Sequence, residues 1–242
     1  MLEGARVVVI VPAFQEERQI ERVLARVPEW VDDVCVVDDA SKDRTCEIAC
    51  RFSPRVTLVR HERNHGVGAA IATGYRWALD HTAGERDAVC VMAGDGQMHP
   101  DDLETVARPI VRGDTDYSKG DRFGAPHHGC GMPMARKIGG RVFSMLTSFA
   151  ILQPIRDSQC GYTAIARGAL LALDLADLWP RFGYPNDLLG QLAVRRLHIA
   201  EVPVRPVYDG EISKLRVWHL LPIAALVARA AIRVRVRRSK KE

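Results

Sequence analysis

The chain has 242 residues, 47% of them apolar and 26% charged, a balance that builds a packed core and excludes a disordered or fibrous protein. At this length a single α/β domain is the expected organisation. Net charge is only +4, and the excess sits at the end, where Arg233, Arg235, Arg237, Arg238, Lys240 and Lys241 face Glu242 alone; the near-neutral body that remains excludes a general nucleic-acid binder.

The chain enters its first apolar run directly after Met1 and Glu3, without the basic start, apolar stretch and cleavage site of an export signal, so a cytoplasmic protein is expected. Short β-branched runs at Arg6 to Val11, Asp33 to Asp38, Val56 to Arg60 and Ala88 to Met92 read as strands. Helices are expected between them, near Glu17 to Arg26, Asp43 to Phe52 and Gly68 to His81, with Ser41 as a cap for the second. This alternation is that of βαβ units, and the unbroken apolar character of Val7 to Val11 predicts strands covered by helices on both faces. Pro100 suits a first helical position and opens a helix to about Arg112. Gly120 to Pro133 lacks periodicity and reads as a long loop. Beyond it, Met134 to Leu152 has helical spacing, Tyr162 to Ala166 reads as a strand, Asn186 to Leu197 as a helix and Ile199 to Val204 as a last strand. The six cysteines form no CxxC pair, and Cys35 and Cys90 lie inside strand-like runs, as reduced thiols acting as small hydrophobes do.

Ligands of open α/β sheets bind at the carboxyl ends of the strands, so the polar residues there carry the chemistry. Three clusters stand at such ends: VPAFQEE (Val11 to Glu17), VDDASKDRT (Val37 to Thr45) and MAGDGQMHP (Met92 to Pro100). Acids gathered at neighbouring strand ends repel one another unless a cation or a donor-rich ligand joins them. Asp38 and Asp39 alternate sides, so one is expected to orient backbone while the other meets ligand. Gly94 and Gly96 around Asp95 allow backbone to approach a diphosphate closely.

These clusters, with RNHGVGAA (Arg63 to Ala70), resemble glycosyltransferase family 2, and more narrowly its polyprenyl-phosphate sugar transferases. The resemblance implies a GT-A type fold, a mostly parallel α/β sheet flanked by helices. It also implies inverting transfer of a sugar from a nucleoside diphosphate donor to a polyprenyl phosphate. By the same resemblance Pro12, Phe14, Glu16 and Asp39 hold the nucleoside, and Gly94 and Asp95 the diphosphate with Mg²⁺ or Mn²⁺. Ala93 stands where the family's Asp-x-Asp element has its first carboxylate, which leaves Asp95 and the Gln97 side-chain oxygen as metal ligands. A hard cation that keeps waters and phosphate oxygens needs few protein ligands. Arg122 in KGDRF matches a phosphate-binding arginine, and Asp157 in RDSQCGYTA and Asp187 in FGYPNDLL match acidic residues near the acceptor. Lys214, in DGEISK, matches the Lys of a closing loop that grips phosphate, with Arg205 the nearest stand-in for that loop's arginine.

Two alternatives stand beside this reading: transfer to a glycan or other hydroxyl acceptor, and a non-catalytic subunit that binds a sugar nucleotide. The transferase domain is expected over 1–215, with a C-terminal amphipathic and basic segment over 216–242. The apolar run from Val217 to Ala228 is shorter than the roughly 20 residues of a membrane span. An interfacial helix is expected instead, with Trp218, Leu220, Leu221 and Leu226 in lipid and arginines at anionic headgroups, on the inner face of the membrane.

Overall fold

A computed structural model of the protein describes residues 1–124, 134–207 and 220–239. Seven strands form one sheet: β1 (Val7–Ala13), β2 (Asp33–Asp38), β3 (Val56–Arg60), β4 (Ala88–Val91), β5 (Tyr117–Asp121), β6 (Thr163–Ala166) and β7 (Ile199–Pro203), in the order β3-β2-β1-β4-β6-β5-β7. Only β6 runs against the others, antiparallel to β4 and β5, while β7 rejoins β5 in parallel. Six strands therefore end on one edge of the sheet, and the chain entering β6 arrives at that same edge.

Helices α1 (Ile20–Ala25), α2 (Thr45–Phe52), α3 (Val67–His81), α4 (Leu103–Val111), α5 (Met134–Ile151), α6 (Arg167–Leu171), α7 (Tyr184–Arg195) and α8 (Leu220–Ser239) flank the sheet. Every residue of β1 is buried, as its unbroken apolar run predicts. Cys35 and Cys90 sit in the same core, and burial pushes each thiol up to about 12. Helix α3 lies close on β1 because Gly74 has no side chain; a Cβ there would stand 2.3 Å from Ile10 Cγ2.

The structure departs from the sequence reading in several places: the first helix begins at Ile20 and not near Glu17, α6 was not expected, and four further differences stand out. Strand β5 was not expected, since YSKGD lacks an apolar pattern, yet all five residues are buried. Helix α2 begins at Thr45, not near Asp43, and Ser41 does not cap it; its hydroxyl accepts the N–H of Gln15 at 2.8 Å instead. Helix α7 starts at Tyr184, two residues early, where Gly183 takes φ 103° and Pro185 sits in the first turn. The C-terminal helix reaches Ser239, and Leu226, expected in lipid, is buried with Ile223, Val227, Ala230 and Val234 where α8 packs on α7 and α5. Leu221 is exposed, and Trp218 lies outside the described residues. Among the described residues no helix is long and apolar enough to cross a membrane.

Candidate active site

The loops that follow β1, β2 and β4 meet at one point. Backbone pairing carries the parallel register past the strands: Asp39 N donates to Ala13 O at 2.9 Å from one side of β1, and Gly94 N to Pro12 O at 3.1 Å from the other. The segment after β1, with Phe14 and Glu16, is pinned to the loop after β2 by three backbone donors, Gln15 N to Ser41 Oγ, Glu16 N to Thr45 Oγ1 and Glu17 N to Asp43 Oδ2. Pro12, Phe14, Glu16, Asp39, Gly94 and Asp95 are thus brought to one edge of the sheet, around the end of β1.

Both aspartates at the end of β2, Asp38 in its last position and Asp39 just after it, orient backbone. Asp39 is buried; its carboxylate accepts Gly66 N at 2.7 Å and His65 N at 2.9 Å, and its Oδ1 lies 2.7 Å from His61 Nδ1. Asp38 Oδ2 accepts Ser41 N at 3.2 Å and stands 3.3 Å from Arg60 Nε. The sequence reading gave one of the pair to ligand; the structure spends Asp39 on fixing the RNHG turn that opens α3. Gly66 there has φ 100°, in the region glycine tolerates, and a Cβ on Gly68 would meet Trp179 O at 2.1 Å.

The loop after β4 makes a tight turn at Gly96 (φ 73°), in which Gln97 N donates to Asp95 Oδ1 at 3.0 Å. Val207 N, just beyond β7, donates to Gln97 O at 3.0 Å, so the chain leaves for Lys214 from beside the Asp95 turn. Lys214 itself lies outside the described residues. Arg205 is held elsewhere, with Nε and Nη2 on Asp102 Oδ1 at 2.9 and 2.7 Å. Among the described residues no three or more His, Cys, Asp and Glu side chains gather as a metal cage. Asp95 and Gln97, on either side of the Gly96 turn, each carry a side-chain oxygen, the donor type that a hard cation takes alongside phosphate and water.

Arg122 follows β5 at the same edge and grips Asp157 in a two-pronged pair, Nε to Oδ2 at 2.7 Å and Nη2 to Oδ1 at 2.9 Å, with Arg122 N on Oδ2 at 3.2 Å. Lys119, wholly buried in β5, donates from below to the carbonyls of Asp157 and Cys160. Burial works to raise the Asp157 pKa; the Arg122 charge and hydrogen bonds, helped by Lys119, outweigh it and hold the carboxyl below the ordinary range. Asp157, read from the sequence as near the acceptor, is fully buried and holds Arg122. Asp187, in the first turn of α7, is buried too: Oδ2 accepts Trp179 N at 2.9 Å and Oδ1 stands 3.1 Å from Arg229 of α8. Burial pushes its carboxyl above the usual value against those partners.

Residues 8–173 match the family model described as Glycosyl transferase family 2. The chain belongs to glycosyl transferase family 2. It is 30% identical to the UDP-N-acetylglucosamine–dolichyl-phosphate N-acetylglucosaminyltransferase of Methanococcus voltae, over 82% of this chain and 84% of that one. It is 29% identical to the dolichyl-phosphate beta-glucosyltransferase ALG5C of Trichomonas vaginalis, over 92% and 70%. A crystal structure of glucosyl-3-phosphoglycerate synthase from Mycobacterium tuberculosis, with Mn²⁺, UDP and phosphoglyceric acid, superposes with a TM-score of 0.68 at 22% identity, over 94% of this chain and 79% of that one. That likeness shows a shared GT-A fold. Within this family-2 site, sequence reasoning missed His61 and the partner that holds Arg122. His61 had one signal, its place immediately after β3; its Nε2 lies 3.0 Å from Thr73 Oγ1, which ties Asp39 to α3.

Proposed function

We propose that the protein transfers a sugar from a nucleoside diphosphate donor to a polyprenyl phosphate, with inversion at the anomeric carbon and with Mg²⁺ or Mn²⁺ on the diphosphate. The observation that carries this is the convergence of the Asp39 and Asp95 loops on the last carbonyls of β1, in a chain of glycosyl transferase family 2. The crevice between them suits a donor whose nucleoside lies along Pro12, Phe14 and Glu16 and whose pyrophosphate meets the Asp95 turn. Asp39 shapes that crevice by holding the 65–66 backbone. Asp95 and Gln97 would hold the cation, which supplies positive charge to the leaving diphosphate. Arg122, fixed by Asp157, and Lys214 are assigned to phosphate oxygens.

The acceptor follows from what the acidic residues do. A hydroxyl acceptor needs a carboxylate within hydrogen-bond reach as base, but Asp157 and Asp187 are both buried on arginine and backbone donors. A phosphate oxygen is already anionic and attacks the anomeric carbon without a base. Two relatives named for dolichyl phosphate, with different sugars, support that acceptor class and leave the sugar open. The reaction then belongs where sugar nucleotide and lipid phosphate meet, on the cytoplasmic face of a membrane.

The test is turnover with a panel of sugar nucleotides, Mn²⁺ or Mg²⁺ and a short-chain polyprenyl phosphate in detergent, read as glycolipid formed. One donor is expected to turn over, and Asp95→Ala to lower the rate by about 100-fold or more. Donor binding without glycolipid from any pair, or an Asp95→Ala enzyme as fast as the parent, would sink the reading.

A further inference from the structure

Helix α5 shows an unusual division of its faces. A helix on a water-soluble surface puts its apolar face on the core, but α5 gives the core only Ala150 and Ile151 at its end and buries Ser144 and Thr147 before them, whose hydroxyls donate to the carbonyls of Gly140 and Phe143 at 2.8 Å. Outward it sets Met134, Ile138, Val142, Met145 and Phe149. Their spacing of four, four, three and four residues makes one stripe along the helix. Ile138 is 58% and Phe149 70% exposed. Isolated exposed apolar residues are ordinary, whereas a continuous apolar stripe marks an interaction surface.

The surroundings of the stripe say what covers it. Neither α5 nor α8 contains an acidic residue. Lys137 and Arg141 flank the stripe on α5, and Arg156 stands exposed beside the helix. From α8, Arg235 places its guanidinium 4.9 Å from the Phe149 ring centre and donates to the carbonyls of Phe149 and Ala150. Ile232 and Val236, also exposed, come with it. Apolar side chains rimmed by cations match the boundary of an anionic bilayer, where the former reach acyl chains and the latter headgroup phosphates. A second copy of the chain would instead bring cation against cation.

We infer that the α5 stripe, extended by Ile232 and Val236 of α8, docks the protein on an anionic lipid surface. The membrane contact thereby moves from the tail run read in the sequence, where Leu226 is buried, to a face built from two helices. A cleft of 490 Å³ lined by Phe123, Arg141, Ser144, Met145, Ile155 and Arg156 opens beside Met145, so lipid seated on the stripe would be next to it. Placing the acceptor's bilayer here rests on the proposed lipid-phosphate acceptor; the docking itself does not.

Flotation of the full chain with vesicles of phosphatidylcholine, alone or doped with phosphatidylserine, tests the docking without any sugar nucleotide. The parent floats with the doped vesicles, less so in high salt. Ile138→Glu with Phe149→Glu lowers partition by about 100-fold, with melting temperature and turnover in detergent unchanged. Should that pair of substitutions destabilise the fold, Lys137→Glu, beside the stripe on α5, is the second probe, and it lowers partition about tenfold. A parent that floats with neither vesicle, variants that float as well as the parent, or a dimeric parent made monomeric by the paired substitution would each overturn the inference. Altered flotation with no turnover by either protein would leave docking intact and remove the acceptor reading.

Discussion

Arg122 shows how one side chain is held in place at a sheet edge. An arginine at the end of a strand is ordinarily a mobile, solvated group, and holding it still costs side-chain entropy. Asp157, itself fully buried, meets that cost with two parallel hydrogen bonds. Asp157→Asn keeps the shape and removes the charge, leaving a half-buried guanidinium without its anion. The expected loss is about 3 kcal/mol, seen as a fall in melting temperature of roughly 6–12 °C for a domain of this size. The pH dependence has a definite sign. The folded-state pKa lies below the unfolded value of about 3.9, so the pair's contribution is complete at neutral pH and is lost as pH falls through the folded pKa. Urea unfolding of parent and variant should therefore differ most at neutral pH and converge in acid below about pH 4. A gap that stays constant with pH would mean that Asp157 acts by packing and not by charge.

At the scale of elements, the contact between α3 and β1 sets how closely that helix lies on the sheet. Gly74→Ala in a free helix would gain about 1 kcal/mol. Here the new methyl meets Ile10 Cγ2, so α3 must shift and the substitution is expected to cost about 1–3 kcal/mol. Ile10→Ala in the same chain should recover part of that loss, and a double-mutant cycle in urea would read the coupling. This half of the protein was legible because β1, β2 and β4 are runs of Val, Ile, Cys and Ala that only a doubly covered parallel sheet accommodates. The strand-end clusters followed from the same pattern, and their loops do converge. Strand β5 was illegible for the opposite reason: its buried Lys119 is satisfied by carbonyls far along the chain, a partnership that no local pattern announces. The aspartates were legible as residues of the strand ends, and their backbone partners were not. A carboxylate that binds ligand and one that binds a backbone turn look alike until the turn is seen, as with Asp39 on the 65–66 amides.

In the whole molecule, α8 joins α5, with its exposed apolar stripe, to the helix that carries Asp187. Arg229 lies 3.0 Å from Asp177 and 3.1 Å from Asp187, and Arg233 lies 2.9 Å from Asp177. Glycines let the helices meet: a Cβ on Gly190 would stand 2.7 Å from Ala230 Cβ, and one on Gly183 2.8 Å from Leu226 Cδ1. The basic residues that look in sequence like a solvated tail are thus divided between two tasks, Arg229 and Arg233 pairing inward and Arg235 facing α5. A helix fastened this way is part of the core and not an appendage. Its buried Ile223, Leu226, Val227 and Val234 contribute about 1.5–3 kcal/mol each, a sum comparable with the roughly 5–15 kcal/mol by which a domain is stable. Removing residues 217–242 should therefore abolish the cooperative thermal transition as well as vesicle binding. Thermal melts followed by circular dichroism separate the cases. A truncated chain that still melts sharply near the parent's temperature, and loses only flotation, would show that α8 serves the membrane alone and that α7 holds its place unaided.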